Sequence, residues 1–278
     1  MFNRSPNPMS EQRLAELFDE CRREHRAALL PYMTAGLPTP ETSLDLFVAM
    51  ADAGADGFEV GIPYADPLMD GPVIQAAGER ALTAGSGVDV GLDILQRVVE
   101  TTGKPCVVMT YVNPVLKMGI EEFADRVQRA GGSGVIIADL PVDEAAPFAA
   151  AFRARGIGLI LFVAPTTTEE RLERVVAAKP AFVYGIAEVG VTGERSQASS
   201  HIADLVGRVR RHGEIPVVAG VGISSAEQAR VAATAADGVI VGSTLVRRVL
   251  EASDVAEAVQ ALRVAVGELA QAVRVSAD

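Results

Sequence analysis

Eight short, near-continuous apolar runs alternate with amphipathic helical stretches along this 278-residue chain, and no linker rich in Pro, Gly or Ser interrupts the series. Apolar strands joined by helical crossovers form a parallel sheet that is covered on its faces. Eight such units in succession predict an α/β fold, a single-domain (β/α)8 TIM barrel over 10–278 with an extra N-terminal helix. An open doubly wound sheet is the competing arrangement.

Residues 1–9 are expected to be disordered. From Ser10 to Arg26 the chain reads as a helix, with Ser10 as N-cap, able to close the bottom of the barrel. The strands follow at 28–33 (ALLPYM), 56–61 (DGFEVG), 106–111 (CVVMTY), 134–138 (GVIIA), 158–163 (GLILFV), 181–186 (AFVYGI), 215–219 (IPVVA) and 238–242 (GVIVG). Helical periodicity fills the intervals at 41–53, 88–102, 120–130, 143–155, 168–178, 200–212, 224–235 and 243–250, with 255–273 continuing the last.

Composition narrows the function classes. With 49% hydrophobic residues the chain can bury a large core. Cys21 and Cys106 fit neither a disulfide framework nor a zinc-ligand spacing, so a reducing cytoplasm is expected. No signal segment and no run of 18 apolar residues occurs, which argues against export and membrane insertion. A net charge of −11 without a basic cluster argues against nucleic acid as a partner.

The segment GFEVGIPYADPLMDG (57–71) carries two carboxylates, Glu59 and Asp70, at opposite ends of a strand-to-loop stretch. With the two-residue period of a strand, Phe58 and Val60 face one side and Glu59 the other, together with Gly57 and Gly61. If Phe58 and Val60 pack under covering helices, Glu59 points into the barrel, where an unpaired carboxylate is costly unless its pKa shifts. Such a position is a candidate for chemistry; a Glu satisfied by backbone or by an Arg is the plain alternative. Asp70 precedes a glycine and is equally at home as a turn residue.

In such barrels the site forms at the C-terminal ends of the strands. Tyr32, Met109, Tyr111, Asp139, Tyr184 and the segment GVTGERS (190–196) converge there, although Tyr32, Met109 and Tyr111 also read as ordinary core. The turn GVGIS (220–224) follows the seventh strand, and Gly242–Ser243 ends the eighth just before a helix. Glycine lets backbone N–H groups at a helix N-terminus come close to a phosphate. A phosphate-bearing substrate is therefore expected even in a chain of this acidity that offers no lysine clamp.

The segments PYMTAGLP (31–38), FEVGIPYADPLMDGPVIQ (58–75), TYVNPV (110–115), GVIIADLP (134–141), YGIAEVGVTG (184–193), GVGIS (220–224) and VGSTLV (241–246) resemble the tryptophan synthase alpha chain family, in order and over nearly the whole sequence. The resemblance implies a carbon–carbon lyase of tryptophan biosynthesis: retro-aldol cleavage of indole-3-glycerol phosphate to indole and glyceraldehyde 3-phosphate, with indole passed to a beta chain. It implies Glu59 and Asp70 as catalytic acids, Tyr184 and Thr192 as site residues, and Gly193, Gly222, Gly242 and Ser243 as a phosphate cradle. Tyr32, Ile74 and Met109 would line the indole pocket, and Asp66 would meet the partner. It further implies an alpha2-beta2 complex, no cofactor in this chain, and pyridoxal phosphate in the beta subunit. One departure is visible: Ala187–Glu188–Val189 precedes GVTG where a hydroxyl or basic residue is expected among the first two positions.

The chemistry suits these residue types. Breaking the bond between ring and glycerol chain delivers a proton to the ring carbon and removes one from the adjacent hydroxyl, work for a carboxyl whose pKa burial has raised, as at Glu59. An ionised Asp70 would stabilise the proton on the indole nitrogen. Aldolases also use a lysine Schiff base or a metal enolate. Here Lys104 and Lys179 precede the third and sixth strands, at the wrong end, and Lys117 lies several residues beyond the third. His25, His201 and His212 fall on helices without forming a ligand set, so no metal is expected. A stand-alone indole-releasing lyase, another phosphate-binding barrel enzyme and a non-catalytic activator of the beta chain are the alternatives. The loops Pro63–Asp70 and Glu188–Ser199 are expected to form one lid that faces the partner, with Thr192 bonding Asp70 on closure.

Overall fold

The structure, a computed structural model, describes residues 10–186, 195–220 and 222–274, without the side chains of 10 and 195–200. In chain order the elements are α1 (Ser10–Arg23), β1 (Ala28–Thr34), α2 (Ser43–Asp52), β2 (Phe58–Gly61), α3 (Pro72–Thr83), α4 (Val88–Thr102), β3 (Cys106–Thr110), α5 (Val112–Met118), α6 (Ile120–Arg129), β4 (Gly134–Ile137), α7 (Ala146–Arg153), β5 (Gly158–Val163), α8 (Glu169–Ala177), β6 (Val183–Ile186), α9 (Arg195–Arg210), β7 (Val217–Gly220), α10 (Ala226–Ala233), β8 (Gly238–Val241), α11 (Ser243–Glu251) and α12 (Val255–Ala272). The strands pair in sequence order, all parallel, and β1 pairs with β8 to close the barrel. Among the described residues no helix is long and apolar enough to cross a membrane.

Strand residues are buried almost without exception, which is why the runs read as continuous rather than alternating. The two faces bury different things. Phe58 of β2 packs edge-on against Phe47 of α2, with ring centroids 5.4 Å apart. That contact sends Phe58 outward to the helices and, by strand alternation, Glu59 inward.

The bottom of the barrel is closed by α1, as expected. Phe18 meets Phe182 just before β6 at 5.8 Å, and the Glu11 N–H donates to Gly156 O at 2.7 Å just before β5. Two Ala-Asp-Gly triplets, 55–57 and 236–238, lie at this end. Asp56 Oδ2 accepts the Leu29 N–H and Arg26 Nη1, each at 2.8 Å. Asp237 Oδ2 accepts the Val217 N–H at 2.9 Å and Arg210 Nη2 at 3.2 Å.

Several boundaries differ from the sequence reading. The second, sixth and seventh strands begin two residues later than expected, at Phe58, Val183 and Val217. Two helices, α3 and α5, lie where only loop was expected. The first starts at Pro72, whose fixed φ and missing N–H suit a first helical turn. The second is held by a distant group, since Asp139 Oδ1 accepts the Val112 N–H at 2.7 Å. The stretch 143–155 divides into a 3-10 turn, Val142–Glu144, and α7, with Pro147 in the first turn of the helix. The helical stretch expected at 200–212, α9, begins at Arg195. Residues 1–9, and the Ser10 side chain as a cap, lie outside the described residues.

Candidate active site

A cavity of about 300 Å³ opens at the C-terminal ends of the strands. Tyr32, Glu59, Asp70, Ile74, Met109, Tyr184, Gly222, Gly242 and Ser243 all line it. Asp66 does not; it is exposed on the loop after β2, where its C=O accepts the Leu68 N–H at 3.0 Å. Thr192 and Gly193 lie outside the described residues, as do the Ala187–Glu188–Val189 departure and the apex of the expected lid.

Glu59 is 4% exposed, and no described residue hydrogen-bonds its Oε2. Burial pushes its pKa up to about 8, and the nearby Asp70 charge adds to the rise. Asp70 is raised less, to about 6, again chiefly by burial, while the Tyr111 hydroxyl pulls it down. Near neutral pH the pair therefore holds a protonated Glu59 beside an ionised Asp70, the division of labour that acid–base catalysis by two carboxyls requires. Asp70 is also a turn residue, its N–H donating to Pro67 O at 3.0 Å.

Two tyrosines shape the walls in the same way. Tyr32 is in register with Glu59 on the neighbouring strand, and its ring leans over Gly61; a Cβ there would lie 2.2 Å from the phenol oxygen. Tyr184 leans over Gly220 of β7, where a Cβ would again lie 2.2 Å from the hydroxyl. The Tyr32 hydroxyl is shared with Thr34 Oγ1 at 3.2 Å. Phe162 of β5 lines the cavity against the Tyr184 ring, with centroids 4.9 Å apart. Sequence reasoning missed Phe162, although the two-residue period of GLILFV puts it on the face of Gly158 and Ile160. Met69, Ala138, Ile186, Ile240 and Thr244 were missed as lining residues too.

At the other end the cavity wall is backbone. Gly222 has φ +84, a conformation that side-chain-bearing residues rarely adopt. Gly242 precedes α11, and no side chain caps that helix N-terminus. Ser243 and Thr244 of its first turn face the cavity. An uncapped helix start with its positive dipole end turned toward a cavity suits an anion. Among the described residues no group of three or more His, Cys, Asp or Glu could hold a metal ion.

The sequence model described as "Tryptophan synthase alpha chain" matches residues 18–274. Tryptophan synthase alpha chains from Salinispora tropica and Mycobacterium marinum are 46% and 45% identical, covering 95% and 94% of this chain and 99% and 95% of theirs. A tryptophan synthase structure from M. tuberculosis superimposes with a TM-score of 0.85 at 42% identity, covering 95% of this chain and 99% of the other. The alpha subunit from Legionella pneumophila gives a TM-score of 0.86 at 31% identity over 94% and 98%. Agreement of this extent, through every strand of the barrel and both ends of the cavity, means that the chain belongs to the tryptophan synthase alpha chain family.

Proposed function

We propose that Glu59 and Asp70 carry out the lyase reaction of this alpha chain, the cleavage of indole-3-glycerol phosphate to indole and glyceraldehyde 3-phosphate. The observation that supports it best is one cavity with two carboxyls held on opposite sides of neutrality and, at its far end, an uncapped helix start. Protonated Glu59 delivers a proton to the ring carbon that bears the glycerol chain. The resulting carboxylate takes the proton of the adjacent hydroxyl, so the carbon–carbon bond breaks, the aldehyde forms and Glu59 returns to its starting state. Ionised Asp70 stabilises the charge that develops on the indole nitrogen. Tyr32, Ile74, Met109 and Tyr184 enclose the ring. Gly222, Gly242 and Ser243 receive the phosphate through backbone N–H groups.

The family match supports an alpha subunit rather than a different phosphate-binding barrel enzyme. The beta chain is therefore the partner, in an alpha2-beta2 complex in the cytoplasm, with Asp66 and its loop against the partner and pyridoxal phosphate held by the beta chain. Indole release from indole-3-glycerol phosphate is measured directly on the purified chain, alone and with a beta chain. Folded protein that releases no indole in either case would remove the reading.

A further inference from the structure

The loop that carries Asp70 has little apolar anchorage, since Leu68 and Met69 are 79% and 62% exposed. Its anchor lies at the end of β3. Tyr111, between β3 and α5, is 2% exposed and sits behind the loop, not among the residues that line the cavity. Its hydroxyl accepts the Met69 N–H at 3.2 Å, which holds the phenol beside the next residue, Asp70, whose pKa it pulls down. A phenol offers one proton and two lone pairs; the Met69 contact uses a lone pair and leaves the proton for Asp70. The ring is itself held in place. Tyr64 packs on it with centroids 5.2 Å apart, the Tyr64 hydroxyl accepts Asn113 Nδ2 at 3.1 Å, and Asp139 fixes the next backbone N–H, that of Val112.

We propose that Tyr111 is a positioning residue for the lyase step, setting the orientation and charge of Asp70 from behind through its hydrogen bond to the Met69 N–H and the proton it presents to the Asp70 carboxylate. This rests on the role given to Asp70 above. Among the described residues the titratable groups that face Asp70 are Glu59 from β2, Tyr32 from β1 and Tyr111 from the end of β3, with Asp139 acting on Tyr111 in turn. Near neutral pH the first three are uncharged, so no described cation supports the ionised Asp70. The Tyr111 donor is what opposes its burial.

Tyr111→Phe keeps the ring and its packing while deleting the hydroxyl. Indole release is followed against pH for wild type and variant, and the Asp70 carboxyl carbon is titrated by NMR in each. The expected result is a kcat/KM about tenfold lower near pH 6 and a smaller deficit above pH 8, with the acid limb and the Asp70 titration both moving up by about one pH unit. Tyr64→Phe loosens the same loop but spares the Tyr111 hydroxyl, and should leave the limb where it is. A uniform loss in Tyr111→Phe with an unmoved Asp70 titration would reduce Tyr111 to packing and overturn the proposal. So would an unchanged profile, or an equal shift in Tyr64→Phe. A wild-type profile without an acid limb would instead overturn the role of Asp70 itself.

Discussion

Asp56 and Glu59 stand three positions apart, one just before β2 and one within it, yet their surroundings are opposite. Asp56, at the bottom of the barrel, has a backbone N–H and an arginine on one oxygen. Glu59, near the mouth, is more deeply buried and has no described partner on Oε2. The contrast recurs across the barrel, where Asp237 repeats the arrangement of Asp56 and Asp70 shares the raised pKa of Glu59. A carboxylate that holds the fold together comes with its partners. One kept for chemistry is left for substrate to complete, at a cost in stability.

The largest break of this contrast is Glu59→Gln, which keeps shape but cannot transfer protons. Turnover of indole-3-glycerol phosphate should fall by about 10²–10⁴-fold, with little change in substrate binding. Asp70→Asn should do comparable damage, because an amide cannot carry the charge that the ring nitrogen needs. Stability should move the other way for Glu59→Gln. A carboxyl whose folded pKa is raised from 4.5 to about 8 contributes stability that is complete below pH 4.5 and is lost as pH rises through about 8. Wild type should therefore lose stability over that whole window, the variant should lose only the smaller contribution of Asp70, which is spent by about pH 6, and thermal melts at pH 8 should favour the variant. Equal melting temperatures at pH 8 would mean that Glu59 has a partner after all.

Asp56→Ala tests the structural carboxylate. It strands the Leu29 N–H and takes one of two carboxylates from Arg26, which keeps Glu24, so it should cost about 2 kcal/mol and lower Tm by roughly 4–8 °C, while kcat holds wherever the protein stays folded. A catalytic loss without a drop in Tm would erase the distinction between the two ends of β2. A gentler probe is the wild-type pH profile. kcat/KM should rise through about pH 6 as Asp70 ionises and fall through about pH 8 as Glu59 loses its proton. The smallest effect is expected from Gly222→Ala, where φ +84 resists a side chain; KM should rise about tenfold with kcat largely kept. Glycerol 3-phosphate should protect wild type against thermal unfolding more than this variant.

The contrast also marks what could be read before folding. The eight strands were legible because burial on both faces leaves each one nearly continuous in Val, Ile and Leu. Glu59 stood out as a charge within such a run, and the glycines after β7 and β8 stood out at an expected anion site. Legibility ended where a distant residue decides. The start of α5 depends on Asp139 at the end of the neighbouring strand, and Tyr111 acquires its place behind Asp70 only once the loop after β2 has folded against it. Both Ala-Asp-Gly triplets were in plain view, but their meaning is a backbone N–H on the preceding strand, a pairing that exists only once the two neighbouring strands have come together.

That closure has a consequence for how the chain is made. One edge of β1 pairs only with β8, Ala28 opposite Gly238, so its partner is translated roughly two hundred residues later. At ordinary synthesis rates this amounts to roughly 10–40 s per chain. For that time the apolar segment Ala28–Thr34 lacks its native neighbour on that side, an unprotected edge of the kind that pairs with other chains. Closure is a contact of very high sequence separation, and such contacts form slowly. The ribosome-bound intermediate, more than the finished enzyme, is thus the form in which this protein is most exposed to aggregation and to capture by chaperones.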